Sequence, residues 1–174
     1  VKNNVRVIMI NLTYSCNVNC KYCYQKEKHR KIREKLTTES IERIKKTVCS
    51  INSVLSGEPL EEPQIKYIDI SGGEALLPEN LPAIQKIAEE FSNSEITIMT
   101  NGINLKRIWK ELPLENITSF QISLDGVKEV HEELSGMGEK CNYDDIVDGI
   151  EYVLREGYEV KRWFISSDTN QTCI

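Results

Sequence analysis

Cys16, Cys20 and Cys23 stand in a Cys-x3-Cys-x2-Cys spacing, three thiols within eight residues. Thiolates are soft ligands suited to iron–sulfur clusters and zinc. Three is one short of the four that close a structural zinc site. On a four-iron cubane, three cysteines leave one iron open to another ligand. A site short of one ligand does chemistry more often than it holds a fold together. The zinc alternative needs His29 or a distant cysteine as fourth ligand, and the spacing is not a standard zinc pattern. The three sulfurs are expected to converge on one point. Three further groups carry chemical interest: Gly72-Gly73-Glu74, Asn101-Gly102, and Ser123 with Asp125-Gly126. Paired glycines let a backbone approach a ligand closely. Asn-Gly and Asp-Gly are otherwise ordinary turn dipeptides.

The elements that must position these groups alternate in type. Apolar, β-branched runs predict strands over 5–11, 65–71, 95–100, 117–124 and 159–166. Thr37 offers a helix N-cap, and Ile41, Ile44, Val48, Ile51 and Leu55 recur at helical spacing behind it. Further helices are expected over 81–91, 105–112 and 143–155. Strand–helix alternation predicts a parallel sheet, barrel-like or doubly wound. Each chemical group falls just past a strand's C-terminal end, the edge where parallel α/β folds place their active sites.

With Cys16, Cys20 and Cys23 after the first strand, Ser71-Gly72-Gly73-Glu74 after the second, Thr100-Asn101-Gly102 after the third and Ser123-Leu124-Asp125-Gly126 at the fourth, the chain resembles the radical S-adenosylmethionine (SAM) enzymes over almost its whole length. The Tyr24 that follows the triplet, the Ser-Leu-Asp-Gly wording and His131 look most like the branch that modifies peptides and proteins. The resemblance implies an α/β fold, a partial TIM-like (β/α) barrel with about five of six strand–helix units, in a single core domain over 1–174. It implies two cofactors, a 4Fe–4S cluster on Cys16, Cys20 and Cys23 and SAM on the open iron. Reductive cleavage of SAM would give a 5′-deoxyadenosyl radical that takes a hydrogen from a peptide or protein substrate. The segment of Gly72, Gly73 and Glu74 would meet the methionyl end of SAM. Ser123 would hydrogen-bond the cofactor, Tyr22 would pack near the cluster and adenine, and Asn101 and Asp125 complete the expected contacts. A flavodoxin- or ferredoxin-type electron donor is implied as partner.

The chain departs from the family pattern in two places. His131-Glu132-Glu133-Leu134-Ser135 stands where relatives carry an Arg suited to the SAM carboxylate. A sixth unit, and any domain with auxiliary clusters, would lie beyond Ile174, so a truncated chain is expected. Slow, uncoupled SAM cleavage is therefore expected of this chain alone, and a cluster-binding remnant without complete catalysis is the second reading. A zinc-stabilised binding module is the third.

The bulk properties fit a globular protein. The 174 residues are 40% hydrophobic and 28% charged, with formal net charge -5. That balance gives no general nucleic-acid binder. No apolar run approaches the ~20 residues that span a bilayer. The first residue is not Met, and no secretory signal precedes the first strand, so a cytoplasmic protein with reduced thiols is expected. Cys49 is expected at a core-facing helix position, and Cys141 and Cys173 have no partners at ligand spacing. His131 is read as a surface or satisfied polar residue, and the mixed-charge run Lys26–Lys35 as a solvated face.

Overall fold

The structure, a computed structural model, describes residues 4–31, 34–136 and 143–163. Cys141, Cys173 and positions 164–166 of the expected fifth strand lie outside the described residues. Five strands, β1 (Val7–Asn11), β2 (Tyr67–Ser71), β3 (Glu95–Thr100), β4 (Ile117–Ser123) and β5 (Glu159–Trp163), form one sheet in the order β1-β2-β3-β4-β5. Every neighbouring pair is parallel. Sequential order among parallel strands requires a crossover after each strand. The long crossovers are α2 (Thr38–Ser56) between β1 and β2, α3 (Leu81–Glu90) between β2 and β3, and α6 (Tyr143–Arg155) between β4 and β5. α1 (Lys26–Lys31) precedes α2, α4 (Leu105–Ile108) lies between β3 and β4, and α5 (Lys128–Leu134) precedes α6.

One face of the sheet carries the helices and the core. Ile68, Ile70, Ile96, Ile98, Phe120 and Ile122 are fully buried and join Ile41, Ile84, Ile87, Ile146 and Val153 of the helices in one core. Each such side chain stabilises the fold by about 1.5–3 kcal/mol relative to exposure. Strand alternation turns the intervening residues to the opposite face, where Val7 and Met9 are 55% and 65% exposed. Helices on one face with strands in sequential order are the winding of a barrel rather than a doubly wound sheet. The fold is a partial TIM-like α/β structure.

Local chemistry explains several boundaries. Thr37 caps α2 by accepting the Ser40 amide, and Gly57 closes it at φ 74. Asn52, wholly buried on α2, accepts the Val5 amide at 2.7 Å and donates to the Val5 carbonyl at 3.1 Å, pinning the entry to β1. The helix expected over 105–112 is split into α4 and a 3-10 turn, Trp109–Glu111, where Trp109 packs against Phe120. The short helices α1 and α5 have no counterpart among the expected elements. Cys49 corrects the core-facing expectation: it is half-buried on α2, one residue past the buried Val48. No described helix is long and apolar enough to cross a membrane.

Candidate functional site

The loops beyond the strands' C-terminal ends are tied to one another, and the cysteine loop is the piece they share. The Gly73 amide donates to the Thr13 carbonyl at 2.8 Å and the Glu74 amide to the Ser15 carbonyl at 2.9 Å. Both bonds require two backbones in contact. A Cβ at Gly73 would stand 2.3 Å from the Ser15 oxygen and 2.6 Å from that of Tyr14. A Cβ at Gly72 would stand 2.9 Å from the Thr13 oxygen. The close approach that makes these residues glycines is therefore to the strand leading into the cysteine loop, not first to a ligand.

Glu74 fastens the next junction. Its carboxylate accepts from the Leu76 amide at 2.7 Å, the Thr100 hydroxyl at 2.6 Å and the Asn101 amide at 2.8 Å. The side chain is 1% exposed, and burial raises its pKa against the pull of those donors. With its oxygens so engaged, Glu74 joins the loop after β2 to the loop after β3. Asn101 continues the chain of contacts. Its amide group donates to Asn17 Oδ1 at 2.7 Å, inside the cysteine loop, while its Oδ1 accepts the Ile103 amide.

The loop after β4 holds the far side. Tyr22 donates to Asp125 Oδ2 at 2.6 Å and shares a side-chain hydrogen bond with Cys20. Burial, then the Asp125 carboxylate, push the Tyr22 phenol well above its ordinary pKa. Behind Asp125 lies His131, 4% exposed, whose Nδ1 accepts the Asp125 amide at 3.2 Å. The same Nδ1 lies 3.4 Å from Asp125 Oδ2, so His131 is a buried side chain engaged by the loop after β4. The end of α5 completes the support. Asn19 and Lys21 amides donate to the Ser135 and Leu134 carbonyls at 3.2 and 2.8 Å. Gly136, at φ 70, passes so close that a Cβ would stand 2.2 Å from the Asn19 oxygen.

Cys16, Cys20 and Cys23 are all half-buried within this frame. Burial first, then the charges of Glu74, Cys20 and Cys23, push the Cys16 thiol up to about 12. Burial, Asp125 and Cys23 push Cys20 up to about 11. The thiols therefore share one electrostatic neighbourhood in which anionic sulfur needs a cation. Among the described residues, however, no three His, Cys, Asp or Glu side chains close on a single ion. This corrects the expectation that the sulfurs meet at one point. A cubane takes each thiolate on a different iron, so three thiols in one neighbourhood are the donors it needs. The donor set thus fits a four-iron cluster. Ser123 ends β4 half-buried on the face away from the core, beside Asp125 in sequence.

Asn17, Asn19, Thr100 and Gly136 were not assigned roles from sequence. They act through backbone, amide or, for Thr100, hydroxyl contacts between distant loops, and only the Thr-Asn-Gly wording hinted at any of them.

The model of the radical SAM superfamily matches residues 10–167. The chain is 30% identical over 168 residues to a GTP 3',8-cyclase of Staphylococcus epidermidis, covering 90% of this chain and 44% of that protein. It is 28% identical over 170 residues to an Fe-coproporphyrin III synthase of Methanosarcina barkeri, covering 97% of this chain and 39% of that one. Its fold matches native anSMEcpe with bound AdoMet at a TM-score of 0.65 and 18% identity, over 91% of this chain and 43% of the other. The chain spans less than half the length of these relatives. The family match over most of its length, with three thiols framed by four strand-end loops, makes this chain a member of the radical SAM superfamily, whose cofactors are a 4Fe–4S cluster and SAM.

Proposed function

We propose that this chain is the core domain of a radical SAM enzyme that acts on a peptide or protein. The observation that carries the reading is the lacing of all four motif loops into one frame around Cys16, Cys20 and Cys23. When bound, the cluster and SAM supply a carbon-centred radical able to take hydrogen from an unactivated position. The chain's own residues hold and shield. The three cysteines hold three irons, and the fourth iron is left for SAM. Ser123, at the mouth of β4, donates a hydrogen bond to the cofactor. The carbonyls of Gly72 and Gly73 present a backbone edge to its methionyl end. Glu74, Asn101, Tyr22 and Asp125, whose polar atoms already bond within the protein, position the loops that make these contacts. A flavodoxin- or ferredoxin-type donor supplies the electron.

The peptide reading rests on the Cys-Tyr and Ser-Leu-Asp-Gly wording, and the fold likeness to anSMEcpe is in keeping with it. A nucleotide substrate is the second reading, favoured by the 30% identity to a GTP 3',8-cyclase. Anaerobic reconstitution followed by mass spectrometry separates them. Under a strong reductant, 5′-deoxyadenosine with a covalently modified peptide supports the first. Conversion of GTP supports the second. Iron uptake with intact SAM would mark a cofactor-binding remnant.

A further inference from the structure

The sheet's uncovered face carries one carboxylate that nothing in the frame explains. Asp69 lies on β2 between the fully buried Ile68 and Ile70, so its side chain faces away from the core, and it is half-buried there. The strand register places it in a row with Met9, Thr97, Ser119 and Glu159. Thr97 and Ser119 hydroxyls bond each other at 2.8 Å, and Glu159 pairs with Lys161 at 3.7 Å. Among the described residues no ion pair or hydrogen bond holds the Asp69 carboxylate. It stands two residues before Ser71-Gly72, about 7 Å along the strand from the loop that meets the cysteines. None of the side chains that β1 to β4 turn to this face is basic.

We infer that Asp69 anchors a cationic nitrogen of the substrate, an amine or guanidinium, and that this face disfavours a triphosphate. The inference rests on the radical-enzyme reading above and takes as the substrate's side the uncovered face, which Asp69 shares with Ser123. A carboxylate at the centre of a partly dehydrated surface repels polyanions and forms charge-assisted hydrogen bonds with N–H donors. A nucleoside triphosphate would find two basic groups described at this face, Lys161 beside Glu159 and Lys66 over the Tyr67 ring at 4.7 Å, neither in an ion pair with Asp69. A peptide bearing Lys, Arg or a free amino terminus would find Asp69 without a competitor. Specificity of this kind combines attraction for one class with repulsion of another.

The test uses the anaerobically reconstituted chain with SAM and two probes, a positional-scanning hexapeptide library and a fluorescent GTP analogue. The library is offered with free and with acetylated amino termini. The wild type should retain peptides enriched in Lys or Arg at one position, or only free-ended peptides if the amino terminus is the cation. Asp69→Asn and Asp69→Ser should each weaken that retention about tenfold. Asp69→Arg should abolish it and raise binding of the GTP analogue. Cation-blind peptide selection, a preference that survives both neutral variants, or saturable GTP binding stronger in wild type than in Asp69→Arg would overturn the inference. Absence of SAM cleavage by the wild type would sink the radical reading instead, with the peptide preference still readable.

Discussion

Tyr22 and Asp125 meet at 2.6 Å across 103 positions of chain, and through them the cysteine loop is fastened to the end of β4. The bond does two jobs. It fixes the aromatic ring that precedes Cys23, and it gives a buried carboxylate one of its donors. Tyr22→Phe removes the donor and keeps the ring. It should lower unfolding free energy by about 1–3 kcal/mol, the cost of stripping a donor from a buried charged group. It should also loosen Cys20, which shares a hydrogen bond with Tyr22. Denaturant unfolding, with iron per chain as companion, reads both. Asp125→Asn, which keeps an acceptor oxygen for Tyr22, should lose less.

Gly73 and Gly136 make a second test, because each touches the cysteine loop from a different side. Gly73→Ala drives a methyl into the Ser15 carbonyl, and Gly136→Ala drives one into that of Asn19. Both should cut iron uptake by more than half. Gly57→Ala is the comparison: its φ of 74 is strained for alanine, yet nothing lies within 4 Å. It should cost about 1 kcal/mol and leave iron uptake intact. Equal iron loadings in all three would separate the glycine contacts from cluster assembly.

Glu74 gives a pH signature. Burial raises its pKa above the ordinary carboxylate value, so its folded form holds a proton more tightly than its unfolded form. Its contribution to stability is therefore greatest below about pH 4.5 and declines as pH rises through the folded-state value. Glu74→Gln does not titrate. At acidic pH the protonated carboxyl, like the Gln amide, keeps one carbonyl acceptor, so the two proteins should be close in stability, and the wild type should lose stability relative to the variant as pH rises. Denaturant midpoints for both proteins from about pH 5 to 8 check the sign. A wild type that gains stability relative to the variant as pH rises would mean the three hydrogen bonds outweigh desolvation.

Much of the frame was legible in the sequence because period-two apolar runs specify strands whatever surrounds them. Ile68 and Ile70, or Ile96 and Ile98, announce one buried face directly. The helical spacing of Ile41, Ile44 and Val48 marked α2 as clearly, although Ile51 and Leu55 of the same series are exposed and the polar Asn52 is buried instead. The cysteines were legible as ligands, since their spacing carries the chemistry. What Gly72, Gly73 and Glu74 touch was not. A glycine pair beside a cofactor and a glycine pair beside a second backbone look identical in one dimension, and only the contacts with Thr13 and Ser15 separate them. The short helix α5 was missed because seven residues with an exposed Glu133 and a buried His131 give too little periodicity to read. Its support of Asn19 and Lys21 is a long-range pairing that no local pattern announces.

The central claim is that Cys16, Cys20 and Cys23 hold a cluster whose electron cleaves SAM. It is tested most directly by 5′-deoxyadenosine release after anaerobic reconstitution with iron and sulfide, under a strong reductant, followed by mass spectrometry. The wild type should release deoxyadenosine, even if slowly and without a modified product. Cys16→Ala, Cys20→Ala and Cys23→Ala should each release none and lose the iron–sulfur absorption. Intact SAM over an iron-loaded wild type, or equal cleavage by any one of the three variants, would contradict the account.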